Sequence, residues 1–333
     1  MLPSRKNNMK VTAILCTYNR CQKLAKAMES LAASVFPDSD EWEVLVVDNN
    51  SRDETRAVVD GFVHRYPGHF RYIFEAKQGK SHALNTGIRE SRGEILAFVD
   101  DDVTVEPDWL YNLTKVLRDD AWAGTGGRIL PDRDVTLPPW LAFDGQWGMG
   151  AMIVAHFDFG NKPCQLKEPP YGTNMAFRKE IFTKYGLFRT DLGPRPGSEI
   201  RNEDTEFGRR LLAAGERLLY LPSAVVYHEV PEHRATKKFL LRRSFDNGRA
   251  EIRERKTGPR VWGISRRYFR VVNYILRFLP RTIRRWLRAR DPQQRFYFKC
   301  VVWHSFGELV EMWRQPSAPA ENSKAPGANA VLD

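Results

Sequence analysis

The stretch EILAFVDDD (residues 94–102) decides how this chain is read. Five apolar residues in a row, opened by one acid and closed by three, have the form of a strand buried on both faces. VTAILC (11–16) and WEVLVVD (42–48) have the same form, and RYIFEA (71–76) is a shorter version. Behind the first two, RCQKLAKAMESLAAS from Arg20 and SRDETRAVVDGFVHRY from Ser51 carry apolar residues at helical spacing. Such repetition of strand and helix builds a mostly parallel sheet flanked by helices, an α/β class whose ligands sit beyond the carboxyl ends of the strands. Asp100, Asp101 and Asp102 lie at that edge.

Outward from this core, KSHALNTGIRESRG from Lys80 reads as a helix with Gly93 as its C-cap, and EPDWLYNLTKVLR (106–118) as a helix begun by Pro107. Residues 130–170 are loop-rich, and their clustered aromatics suit either a binding groove or a satellite core. GTNMAFRKEIFTKYG (172–186) reads as a strand end feeding a helix. TEFGRRLLAAG (205–215) is a further helix, and ERLLYLP and SAVVYHEV are strand pieces. The tail from Pro316 is expected to be disordered.

The 333 residues are 42% hydrophobic and 28% charged, enough for one large or two ordinary domains with real cores. Lys and Arg number 52 against 41 Asp and Glu, a net charge of +11. Residues 232–315 hold 22 of those cations and 7 of the anions, so that region carries about +15 and the rest about −4. The basic excess admits nucleic acid, anionic lipid or a phosphorylated substrate as partner. Cys16, Cys21, Cys164 and Cys300 show neither CxxC nor metal spacing, which fits a reducing compartment. The apolar run behind Arg5, Lys6 and Lys10 is too short for a signal-peptide core, and Arg270 and Arg277 interrupt the best candidate for a spanning helix. A cytoplasmic protein is expected.

Three consecutive carboxylates repel one another unless a cation neutralises them, and a divalent metal does so best. Mg²⁺ and Mn²⁺ take oxygen ligands, commonly one or two carboxylates plus phosphate oxygens of a substrate, so a metal-bridged diphosphate fits residues 100–102. Asp48 closes its own strand in the same way, although DNNS is also good turn chemistry. In NEDTEFGRRLL, Glu203 and Asp204 open an amphipathic helix, where a carboxylate serves as a cap or projects into a cleft as a general base. His228 follows a strand and is either a hydrogen-bonded structural residue or a Mn²⁺ ligand. Lys80, ahead of a helix, suits a phosphate or ribose oxygen. Neither GxxxxGK[ST] nor GxGxxG is present, which removes two common nucleotide-binding classes.

CTYNR (16–20), VVDNNSRDET (46–55), GKSHALNTGI (79–88), FVDDD (98–102), GTNMAFRK (172–179) and EDTEFGRRL (203–211) occur in that order. Together they resemble the family 2 glycosyltransferases over residues 10–230. The resemblance implies the GT-A fold and an inverting, metal-dependent transfer of sugar from a nucleoside-diphosphate sugar, with UDP the first guess. It implies that Thr17, Tyr18, Asn19 and Asp48 hold the base and ribose, joined by Lys80, Asp100 and Asp101 on the donor. It implies Asp102 as the metal ligand, with His228 a second candidate, and Asp204 as general base. Thr173, Asn174 and Glu203 fall on the acceptor side. The QxxRW motif and spanning helices of processive members are absent, so a single transfer per acceptor is expected. Leu84 stands where many members have Arg.

Residues 262–290 mix aromatic and aliphatic residues with nine arginines, and Pro280 is expected to split them into two amphipathic helices. FYFKCVVWHSFGELVEMW (296–313) reads as a third. Such helices suit an anionic membrane surface or pack on the catalytic domain. The expected organisation is a tail (1–9), a catalytic domain (10–231, with its donor half to about 125), a basic helical region (232–315) and the disordered tail (316–333). The acceptor is then a glycan or a lipid-linked sugar, in polysaccharide or glycoconjugate biosynthesis, and the enzyme sits peripherally on the inner face of the cell membrane. Nucleic acid is the least expected partner, since no recognised module surrounds the arginines. Two other readings remain: a haloacid dehalogenase-type phosphatase with Asp100 as nucleophile, and a nonenzymatic basic adaptor.

Overall fold

The computed structural model describes residues 9–37, 40–132, 137–197, 200–254 and 273–314. Its first half alternates strand and helix: β1 (Lys10–Thr17), α1 (Cys21–Ala32), β2 (Glu41–Asp48), α2 (Thr55–Arg65), β3 (Phe70–Phe74), α3 (Lys80–Glu90) and β4 (Ile95–Asp100). These four strands pair in parallel in the order β3-β2-β1-β4. α1 shows why: Leu24, Ala27, Met28 and Leu31, spaced by three or four, are all buried against the sheet. A fully buried leucine contributes about 1.5–3 kcal/mol.

The second half is less regular. β5 (Val103–Val105), α4 (Trp109–Thr114), β6 (Gly124–Pro131), α5 (Gly150–Val154), β7 (Cys164–Gln165), β8 (Asn174–Arg178), α6 (Lys179–Tyr185), α7 (Glu203–Ala213) and β9 (Leu218–His228) complete a nine-stranded sheet. β8 runs antiparallel to β4 with Val99 opposite Asn174, so it delivers its N-terminal end to the edge where β4 ends. β9 runs antiparallel to β5, and Val103 faces His228. Antiparallel insertion thus brings two distant segments to one catalytic edge.

Several expectations change. Gly93 is not a C-cap: α3 ends at Glu90 with Ser91 in the capping position. Gly93 instead lies against β1, where a Cβ would collide with the Thr12 backbone. The helix after Pro107 begins at Trp109 and tightens into a 3-10 turn at Lys115–Arg118. ERLLYLP and SAVVYHEV form one strand, with a register shift opposite Gly127/Arg128.

Among the described residues the C-terminal part comprises α8 (Lys237–Glu254), a π-helical turn (Tyr274–Phe278), α9 (Leu279–Arg288) and α10 (Pro292–Arg314). Pro280 does not separate two helices, because it sits in the first turn of α9 and the widened π turn runs straight into it. Residues 262–272 lie outside the described residues. α10 is not a lipid-facing helix along its length: it crosses α8 at Gly248 and Gly307. A Cβ at Gly248 would collide with the His304 carbonyl, and one at Gly307 with that of Phe245. Buried Glu311 receives Arg249 and Arg253 from α8 across this contact. The aromatics of the loop-rich insertion form a satellite core, in which Leu141, Met149, Ile153 and Val154 pack with Leu240, Phe296 and Cys300.

Candidate active site

β1, β2 and β4 finish side by side, with Thr17 opposite Asp48 and Cys16 opposite Asp100. A cleft of about 360 Å³ opens beyond these ends. Residues 100–102 form its floor, and each acid is neutralised differently. Asp100 takes Lys80 Nζ on Oδ1 and Thr173 Oγ1 on Oδ2, the latter at 2.8 Å. Burial alone would raise its pKa, but Lys80 outweighs burial and holds it well below the carboxylate range. Asp101 accepts Thr17 Oγ1 at 2.8 Å and Arg20 Nη1 at 2.9 Å. Burial, with Asp102 and Asp100 adding repulsion against Arg20, pushes Asp101 up to about 6.

Asp102 Oδ2 faces Arg20 at 3.3 Å and Arg234 at 3.2 Å, while Oδ1 lies 3.5 Å from His228 Nε2. The Nδ1 of His228 is 2.8 Å from the Glu229 carbonyl oxygen, which can only accept, so Nδ1 carries the proton. Burial lowers the His228 pKa and favours the neutral ring. Its Nε2 lone pair then faces a carboxylate oxygen with no proton between them, which is the donor set of a cation site. A divalent ion held by Asp102 and His228 and completed by phosphate oxygens fits these residues. Among the described residues no group of three or more His, Cys, Asp or Glu side chains makes a closed metal cage.

Lys80 is positioned by Gly79, whose φ of 135° puts it where L side chains are strained, and whose N–H donates to Asn49 Oδ1 at 2.7 Å. The Lys80 ammonium reaches on to Glu203 Oε1 at 3.9 Å, linking the acidic floor to the first turn of α7. There Asn202 takes a left-handed conformation and turns the chain so that Glu203 and Asp204 both line the cleft. Asp204 Oδ2 accepts the Gly172 N–H at 2.6 Å, and Oδ1 the Thr205 N–H at 2.7 Å. Glu203 is 3% exposed, and its Oε2 has no hydrogen-bond partner. Burial, followed by the Asp204 charge, pushes Glu203 up to about 7.

Tyr18, exposed, also lines the cleft, as does Thr17. Asn19, Asp48 and Asn174 do not. Asn19 binds the loop before α1 to the one before α2, donating its N–H to Ser51 Oγ and accepting from the Arg52 N–H. Asp48 accepts from Tyr72 OH and the Ser51 N–H, both at 2.9 Å. Asn174, fully buried, bridges the Arg128 and Ala224 carbonyls and accepts from Trp109 Nε1. Sequence reasoning missed four arginines of the cleft: Arg20, Arg195, Arg201 and Arg234. Arg20 belongs to the CTYNR motif and could have been found there, whereas Arg234 meets Asp102 across 132 positions with no local signal.

The sequence and the fold match known proteins. The family model described as "Glycosyl transferase family 2" matches residues 12–186. The succinoglycan biosynthesis protein ExoM of Rhizobium meliloti is 30% identical over 75% of this chain and 78% of its own. The glucosyl-dolichyl phosphate glucuronosyltransferase of Haloferax volcanii is 27% identical over 72% and 75%. Among solved structures, the mannosyltransferase PcManGT from Pyrobaculum calidifontis, in complex with GDP-Man and Mn²⁺, aligns over 95% of this chain and 90% of its own, with a TM-score of 0.62 and 20% identity. GalNAc-T7 with UDP, GalNAc and Mn²⁺ aligns over 80% and 50% with a TM-score of 0.56 and 16% identity. These likenesses carry the GT-A fold, and the sequence matches settle membership: the chain is a glycosyltransferase of family 2.

Proposed function

We propose that this glycosyltransferase is metal-dependent and inverting, and moves a sugar from a nucleoside-diphosphate sugar, UDP foremost, to a hydroxyl of a glycan or lipid-linked acceptor. The observation that carries the reading is the ion-paired chain Asp100, Lys80, Glu203, with Asp102 near one end in sequence and Asp204, a carboxylate held in place by two N–H donors, next to the other. Asp102 and His228 would hold Mn²⁺ or Mg²⁺, which when bound offsets the charge that grows on the departing diphosphate. Lys80 and Arg20 supply fixed positive charge beside it. Asp204 accepts the proton of the acceptor hydroxyl as that oxygen attacks the anomeric carbon, and one displacement inverts the configuration.

The names of the relatives support this reading: succinoglycan synthesis and a dolichyl phosphate-linked substrate for the acceptor class, and GDP-Man or UDP with Mn²⁺ for the donor. The phosphatase reading loses ground because Lys80 and Thr173 engage both Asp100 oxygens. We place the enzyme peripherally on the inner face of the cell membrane. Among the described residues no helix is long and apolar enough to cross a membrane. The segment 275–290 exposes Ile275, Leu276, Phe278 and Leu287 beside six exposed arginines. Each arginine near an anionic leaflet contributes about 1 kcal/mol.

A screen of nucleotide sugars for Mn²⁺-dependent thermal stabilisation identifies the donor, since a ligand of the native state raises its stability. With that donor, Asp204→Asn should bind normally and lose roughly 10²–10⁴-fold in transfer rate. Undiminished turnover would remove Asp204 as base.

A further inference from the structure

Three of the five acids lining the cleft have both oxygens engaged by donors: Asp100 by Lys80 and Thr173, Asp101 by Thr17 and Arg20, and Asp204 by two backbone N–H groups. Asp102 takes Arg20 and Arg234 on Oδ2 and turns Oδ1 to His228, where the cation is proposed. Glu203 has no such explanation. Its Oε2 is sealed from solvent without a hydrogen-bond partner, although the side chain lines the cleft. Leaving a buried carboxylate oxygen unsatisfied is costly, and such a group persists where a ligand completes it.

Position identifies the ligand group. On the proposed transferase reading, which this inference rests on, the diphosphate leaves at Asp102 and His228 and the attacking hydroxyl comes to Asp204. The transferred sugar ring therefore occupies the space between them. Lys80, whose ammonium lies 3.9 Å from Glu203 Oε1 and pairs with Asp100, forms the wall of that space. On that reading Glu203 falls beside the donor sugar, whereas its motif alone puts it on the acceptor side. We propose that the Glu203 carboxyl, turning its unpartnered oxygen toward the cleft that the side chain lines, hydrogen-bonds one hydroxyl of the transferred sugar and is a specificity-determining residue for the donor. A site built around such a contact discriminates steeply against a donor lacking that hydroxyl, because the carboxyl is then left buried and unpaired. Glutamine, of the same shape and with an accepting oxygen, preserves the contact, and alanine abolishes it.

The test uses the full chain with Mn²⁺ and, as probes, UDP, GDP, UDP-glucose, UDP-galactose, UDP-N-acetylglucosamine and GDP-mannose, with affinities from calorimetric titration. The quantity read is the affinity that the sugar adds over its bare nucleotide. In Glu203→Ala that increment should fall on the order of 10-fold or more, while the bare nucleotide binds as to the wild type. Glu203→Gln should keep most of it. An unchanged increment in Glu203→Ala, or an equal loss for bare nucleotide and nucleotide sugar, overturns the assignment. A second measurement needs no variant: donors deoxygenated at one position at a time should show a single hydroxyl whose removal costs the wild type a comparable factor. Absence of any such position also overturns it. Failure of every probe to bind the wild type would sink the proposed UDP- or GDP-sugar donor, a result distinct from a sugar that binds without Glu203.

Discussion

His228 and Asp102 meet lone pair to lone pair: the imidazole Nε2 stands 3.5 Å from Oδ1, and the only ring proton is committed to the Glu229 carbonyl. A divalent cation between its members would complete such a pair. His228→Ala and Asp102→Asn should each weaken Mn²⁺-dependent nucleotide binding, by about 10-fold to 100-fold, with little effect on metal-free binding. Titration of Mn²⁺ in the presence of UDP checks this. An unchanged Mn²⁺ dependence in both variants would disprove the site.

The buried carboxyl of Glu203 also makes a stability prediction. Its folded pKa, about 7, lies above the ordinary 4.5, so the folded state takes up a proton and its ionised form is disfavoured. The cost is absent below pH 4.5, grows between 4.5 and 7, and is complete above that. Asp204 adds to it, and Lys80 and Arg201 relieve part. Glu203→Gln has no charge to bury, so its melting temperature should gain on the wild type by several degrees between pH 5 and pH 8. A difference that stays constant with pH would contradict the assignment.

At the crossing of α8 and α10 there is no space for a side chain on Gly307. Gly307→Ala should cost about 1–3 kcal/mol by forcing the helices apart. Gly61 is the control: it lies within α2 with open space where a Cβ would stand, and Gly61→Ala should stabilise by about 0.5–1 kcal/mol. Urea denaturation of both variants measures the contrast, and equal shifts would show that the crossing is not tightly packed.

Leu276 and Leu287, 69% and 66% exposed, are the most open of the aliphatic residues among the arginines of 275–290. Removing both should lower co-sedimentation with phosphatidylglycerol vesicles by at least about 10-fold, each buried leucine being worth about 1.5–3 kcal/mol. Neutral phosphatidylcholine vesicles should bind weakly throughout. Retention of Leu276→Ser/Leu287→Ser on the anionic vesicles would refute docking through this segment.

The four parallel strands are legible in the sequence because each is a dense apolar run: Ile95 to Val99 can be placed nowhere but in a core. β6 is not, since GTGG offers almost no side chains to read. It is a strand because its glycines let neighbours approach: a Cβ on Gly124 would strike Phe177, and one on Gly127 would strike Asn174. β5 is only three residues long, and its partner is 125 positions away at His228. In the site, the acids are legible as types at strand and helix ends. Two of their partners are not, because Arg234 and Thr173 converge on residues 100–102 only once antiparallel strands are threaded into the sheet. Asn174 reads as an acceptor contact from its motif alone. Its three hydrogen bonds to Trp109, Arg128 and Ala224 depend on that threading too.

α8 gives the molecule its mechanical connection. Phe239 and Arg243 reach the cleft, Leu240 anchors the satellite core, and one turn after another of the same rod is clamped to α10 through Gly248, Arg249 and Arg253. α10 lends the cleft no lining residue of its own, yet by clamping α8 it fixes where Phe239 and Arg243 stand at its mouth.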